Sequence, residues 1–239
     1  MKRVFRLFSL TALSLFGAAA AEAQETKVET TIAADVVNQY IWRGQELGNV
    51  SLQPTLGIGY KGFSLSAWGS VGLSDPADTK EFDLTLGYTV GGLNIGITDY
   101  WFNTGLDPEN RYFKYDAHGT NHVFEANIGY DFGLASVQWF TNIAGNDGVN
   151  KDGKRAYSSY VEVAVPFKVA TVDWIATAGA VPYATDFYGT TGFAVTNVTL
   201  RADKEIKVTD SFSVPVFGQV TGNPCSQKTY LVFGITLHP

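Results

Sequence analysis

Residues 50–73 read VSLQPTLGIGYKGFSLSAWGSVGL. In the first half Val50, Leu52, Pro54, Leu56, Ile58 and Tyr60 alternate with Ser51, Gln53, Thr55, Gly57, Gly59 and Lys61. Lys61-Gly62 then turns the chain, and Phe63, Leu65, Ala67, Gly69, Val71 and Leu73 alternate with Ser64, Ser66, Trp68, Ser70 and Gly72. A period of two is the side-chain period of a strand, so the stretch is a hairpin with one apolar and one polar face. The chemistry of the polar face decides the class. A soluble sheet turns charged side chains to water, whereas this face is mostly Ser, Thr, Gly and Gln. Small polar residues suit a crowded or water-filled interior, which leaves the apolar face to meet lipid.

The pattern continues downstream. Phe82, Leu84, Leu86, Tyr88 and Val90 alternate with Glu81, Asp83, Thr85, Gly87 and Thr89, and Gly91-Gly92 is a tight-turn signal. Twelve strands are expected, over 28–43, 50–60, 63–73, 81–90, 93–102, 121–131, 134–144, 156–165, 169–181, 191–202, 210–222 and 228–238. Ten or fourteen are also compatible with the pattern. The connections alternate between short (61–62, 91–92, 132–133, 166–168) and long (44–49, 74–80, 103–120, 145–155, 182–190, 223–227). Only 203–209 is longer than its class requires. The expected fold is therefore all-β, a transmembrane antiparallel up-and-down barrel with short periplasmic turns and long outer loops. Tyr40, Trp42, Tyr60, Phe63, Tyr88, Trp101, Tyr130, Phe132 and Phe167 fall near strand ends, as interfacial aromatic girdles do.

Composition agrees with export to a membrane. Charged residues make up 17 % of the chain, against about 25 % for an average globular protein. Lys2, Arg3 and Arg6 precede an apolar run from Leu7 to Ala21, and Ala21-Glu22-Ala23 has the small-x-small form of a cleavage site. Residues 1–23 are expected to be a cleaved signal peptide and 24–239 the outer-membrane barrel domain. Without the leader, 14 basic and 22 acidic residues remain, which speaks against nucleic acid as a partner. Cys225 stands alone, so no intramolecular disulfide framework exists. Past the leader no run of 18 or more apolar residues is present, so entry into a membrane requires a closed barrel.

Asp35–Gly44 reads DVVNQYIWRG, Pro54–Tyr60 reads PTLGIGY and Gly62–Ser70 reads GFSLSAWGS. In this order the three segments resemble the TorF family of porin-like bacterial outer-membrane proteins, whose function is poorly defined. The likeness covers about residues 30 to 70. It implies an outer-membrane barrel and a channel, and it transfers no binding residues.

Little in the sequence suggests catalysis. The histidines are His118, His122 and His238. His122 and Glu125, three apart on a strand, point to opposite faces and cannot share a metal or a proton. His118-Gly119-Thr120 lacks a partner acid at matching spacing, so no enzyme, metal or cofactor is expected. By strand parity Glu29, Asp35, Glu81, Asp83, Glu125 and Glu162 point inward, with Arg43 among the few bases there. Inward acids favour cations in a pore. The expected lumen is lined by Asp35, Arg43, Gln53, Trp68, Asp83, Glu125 and Glu162, for passage of ions or small polar solutes. A closed structural or adhesive barrel acting through its outer loops is the alternative, with the acids paired to Arg43 and Arg201. The longest loop, 103–120, is compatible with an inward constriction or an outer binding surface.

Overall fold

A computed structural model describes residues 27–104, 111–117, 119–210 and 212–239. The expected leader over 1–23 and His118 lie outside the described residues. The first strand of the wall is β1 (Glu29–Val37). It is followed by two short strands, β2 (Tyr40–Trp42) and β3 (Gln45–Gly48), that pair only with each other. The remaining wall strands are β4 (Ser51–Tyr60), β5 (Phe63–Gly72), β6 (Thr79–Val90), β7 (Leu93–Thr104), β8 (His122–Asp131) and β9 (Ser136–Gly145). They continue as β10 (Ser159–Val169), β11 (Val172–Val181), β12 (Ala194–Lys207), β13 (Ser213–Asn223) and β14 (Lys228–Leu237). Neighbours in sequence pair antiparallel, and β1 closes the barrel by pairing with β4 on one side and β14 on the other. The fold is a closed twelve-stranded up-and-down barrel, the strand number expected from the alternation.

The turns explain the direct hairpins. Lys61 and Gly62 both have positive φ, 50° and 84°. Two consecutive left-handed residues make the primed turn whose twist matches a two-residue hairpin, and glycine takes the second at little cost.

Side-chain burial follows the pleat, with the usual polarity reversed. Along β4, Ser51, Gln53 and Thr55 are buried, while Leu56 and Ile58 are 58 % and 51 % exposed. The same division recurs round the wall. Leu65, Leu86, Ile95, Ile128, Val163, Leu200, Val220 and Leu231 are exposed on the outer face, and Ser66, Asp83, Thr98, Glu125 and Arg201 are buried within. A water-soluble barrel buries its apolar face; this one displays it as a continuous belt. Tyr60, Phe63, Tyr130, Phe132 and Phe167 are exposed near the short-turn end, with the Phe63 ring tilted against that of Tyr88 at a centroid distance of 4.5 Å.

The structure corrects several sequence expectations. The first strand does not run to residue 43. It ends at Val37, and Tyr40 and Trp42 are buried inside the barrel rather than placed in a girdle. Trp101 is also covered, by the loop that follows its strand. β10 continues past Pro166 to Val169, because Pro166 lies beyond the last pair with β9, Ala164–Ser136, where that ladder has already ended. β12 likewise extends to Lys207, so most of the connection expected over 203–209 is strand, and the next strand begins at Ser213.

Pro54 is explained by a gap. β4 pairs with β5 at Leu52–Val71 and at Thr55–Trp68, but not at the two positions between. The register is the same on both sides, so there is no bulge. Proline removes a donor there and its ring stands exposed on the outer face.

Candidate functional site

The segment between β1 and β4 turns into the barrel mouth at the long-loop end. Its hairpin, β2–β3, crosses the lumen. Tyr40 Oη donates to Glu81 Oε2 on β6 at 2.9 Å, and its ring lies 5.5 Å from that of Trp68 on β5. At the hairpin turn Arg43 and Gly44 have φ of 49° and 80°. Left-handed glycine is required here in a second sense: a Cβ on Gly44 would collide with the Thr196 carbonyl of β12. The Gly44 carbonyl accepts from Asn223 Nδ2 of β13 at 3.0 Å. The hairpin thus touches the wall on several sides.

Arg43 is the hub. Its Nη1 and Nη2 donate to Glu125 Oε2 and Oε1 on β8 at 2.6 and 2.9 Å, a bidentate pair buried on both sides. Nη1 also donates to Tyr188 Oη at 2.6 Å, and Tyr100 Oη on β7 donates to Glu125 Oε1 at 3.0 Å. The guanidinium carbon stands 4.4 Å from the Trp42 ring, 4.1 Å from Phe140 on β9 and 4.7 Å from Tyr160 on β10. A buried charge is tolerated only with such a set of acceptors, and the planar fork of arginine supplies the matching geometry. Burial raises the Tyr188 hydroxyl above the usual phenol range, with the Arg43 charge acting in the opposite direction. Around the hub Tyr40, Trp42, Trp68, Tyr100, Val123, Phe140, Tyr160, Val181 and Tyr188 form one packed cluster inside the wall.

Each residue expected to line the lumen has a definite place. Asp35 is buried on β1, accepts from Thr236 Oγ1 at 2.5 Å and pairs in register with Gln53. Gln53 is buried and donates to Ser51 Oγ at 3.2 Å. Trp68 and Asp83 are register neighbours on β5 and β6. Glu162, half-buried on β10, accepts from Tyr160 Oη at 2.8 Å, and Tyr160 accepts from Asn197 Nδ2 at 3.0 Å. The structure therefore gathers Arg43, Glu125, Trp68, Asp83 and Glu162 around the hairpin and leaves Asp35 and Gln53 on the β1–β4 wall. A separate pair joins Arg201 to Asp203 on β12 at 3.0 Å, with the Arg201 guanidinium 3.5 Å from the Phe217 ring. Sequence reasoning missed the aromatics that fill the lumen, Tyr100, Phe140, Tyr160 and Tyr188. The Arg43-Gly44 turn within the WRG tripeptide was the available signal.

On the outside, the described part of the 103–120 loop lies against the wall as a strap. The register puts Asp99, Trp101, His122 and Phe124 on the outer face, opposite in sense to Tyr100 and Glu125. His122 and Glu125 are thus on opposite sides of the wall, as their spacing demands. Tyr112 packs its ring 5.6 Å from Phe82, 5.5 Å from Trp101 and 5.1 Å from His122, and Tyr115 stacks 4.2 Å from His122. The His122 ring bonds Asp99 Oδ1 through Nδ1 at 2.7 Å and the Tyr112 carbonyl through Nε2 at 2.5 Å. Burial, and then the neighbouring Tyr115, push the Tyr112 hydroxyl up to about 12. Among the described residues no group of three or more His, Cys, Asp or Glu is arranged to hold a metal ion.

No family model matches the chain, and no curated protein matches it.

Proposed function

We propose that the protein is a bacterial outer-membrane channel for small polar solutes, with cations preferred, whose lumen is constricted by its own first outer loop. The observation that carries this reading is the reversed polarity of the wall, an exposed apolar belt around a polar interior. Strands with that polarity suit a bilayer, and the closed barrel leaves no backbone edge unpaired in lipid. Short turns then face the periplasm and the long loops face outward. An N-terminal leader over residues 1–23 supports export, and the resemblance of residues 30 to 70 to the TorF family supports the same assignment. Cation preference follows from the hub. Glu125 is paired with Arg43, and Glu81, Asp83 and Glu162 add further carboxyls beside it with no second base in the hub.

A second reading is favoured by the packed aromatic cluster. If the hairpin and its rings close the lumen completely, the barrel acts through its outer loops alone. The two separate cleanly. Refolded protein in planar bilayers gives discrete, cation-selective current steps if it is a channel; a folded, heat-modifiable barrel without current supports the closed one.

A further inference from the structure

Beside the hub lies a polar corner that the protein's own contacts leave incomplete. Thr55 on β4, Trp68 on β5 and Asp83 on β6 are successive cross-strand neighbours on the inner face. They are 1 %, 6 % and 2 % exposed. Thr55 Oγ1 and Trp68 Nε1 have no hydrogen-bond partner, and the Asp83 carboxyl, which receives no bond from a donor side chain, lies within hydrogen-bonding reach of the Glu81 carboxyl. Unsatisfied buried polar atoms cost about 1–3 kcal/mol each, more when charged, and native proteins seldom leave several together. Glu81, two residues from Asp83 on the same face, is buried, accepts from the Tyr40 hydroxyl and otherwise meets only the Asp83 carboxyl. Among the described residues neither acid has an ion-pair partner. The nearby guanidinium of Arg43 is committed to Glu125 and Tyr188. Tyr40 and Trp68, with ring centroids 5.5 Å apart, complete the corner.

We infer that Tyr40, Thr55, Trp68, Glu81 and Asp83 form a binding site for a small organic ammonium ion that also carries a hydrogen-bond acceptor. The inference rests on the channel reading only in naming the solute class; binding itself does not require conduction. Two carboxyls held against each other with no base beside them can share a proton, and a positive partner between them relieves their mutual repulsion. The rest of the corner selects its kind. A hard metal ion needs a shell of oxygen ligands, whereas the indole N–H of Trp68 is a donor and cannot ligate. Aromatic faces favour a weakly hydrated organic cation over a strongly hydrated one. An ammonium group meets the Asp83 and Glu81 oxygens, and an acceptor on the same small molecule meets Trp68 Nε1 and the Thr55 hydroxyl. Every orphan atom of the corner is then used.

The test is calorimetric titration of the refolded full chain in detergent with ethanolammonium chloride, with sodium chloride at equal ionic strength as the reference. The wild-type protein is expected to show saturable binding of ethanolammonium and none of sodium. Asp83→Asn is expected to weaken binding at least tenfold, and Trp68→Phe, which keeps a ring and removes the N–H, several-fold. Heat-modifiable migration establishes that each variant has folded; if Asp83→Asn does not fold, Trp68→Phe decides. No saturable binding to the wild type, or binding unchanged in the folded variants, overturns the inference. Binding to a barrel that passes no current would keep the site and remove the channel. Cation current without ethanolammonium binding would keep the channel and remove the site.

Discussion

Arg43 and Glu125 are 82 residues apart in sequence, yet both guanidinium nitrogens grip both carboxylate oxygens, at 2.6 and 2.9 Å. Glu125 stands on β8, five strands round the wall from β1. One ion pair thus ties the segment between β1 and β4 to the nearly opposite side of the barrel. Cutting either end alone leaves a buried charge without its partner. Arg43→Ala and Glu125→Ala are each expected to destabilise the barrel by about 3–5 kcal/mol, whereas replacing both with apolar residues of similar size costs far less. Urea unfolding in lipid vesicles, followed by tryptophan fluorescence, measures the three variants. Additive losses in the double variant would count against the pair as the tie.

Gly44 is the steric condition for that tie. A methyl group there meets the Thr196 carbonyl, and the φ of 80° is unfavourable for alanine as well. Gly44→Ala is expected to cost about 1–3 kcal/mol and to lift the hairpin away from β12. A spin label placed on the hairpin would report greater mobility. Unchanged mobility and stability would mean that the turn is not held where it is described.

The outer strap depends on Asp99 and His122. Removing the Asp99 acceptor leaves the His122 ring with only the Tyr112 carbonyl as a hydrogen-bond partner. Asp99→Ala is expected to loosen residues 111–117 without altering the lumen, because the two lie on opposite faces of the wall. Trypsin cleavage after Lys114 should then accelerate several-fold while single-channel properties stay as in the wild type. Equal cleavage rates would show that the strap is held by its ring contacts alone.

Much of the fold was legible because β-strand parity is unforgiving. From Val50 to Leu73 a shift of one residue would place Leu56 and Ile58 inside and Thr55 outside, so the pattern admits one register. The same parity put Asp83, Glu125 and Glu162 on the inner face and His122 on the outer. It failed at Tyr40–Trp42, because Tyr-Ile-Trp continues the strand composition of β1 into a hairpin that leaves the wall. Local pattern carries no information about which wall a loop crosses to reach. Strand ends near Pro166 were misplaced for a related reason: a proline breaks a strand only where a neighbour needs its N–H, and the end of the β9 ladder cannot be seen from β10 alone. The aromatics of the lumen were hidden because rings near a strand end serve equally at a membrane interface or in a packed interior.

In the proposed channel the β2–β3 hairpin constricts an otherwise continuous lumen. Single-channel recording of the wild type beside the double variant Arg43→Ser with Glu125→Gln tests it most directly, since the double variant leaves no buried charge unpaired at the hub. Small, cation-selective steps are expected for the wild type and larger ones for the variant. Equal conductance in two folded proteins, or no current from either, would contradict that constriction.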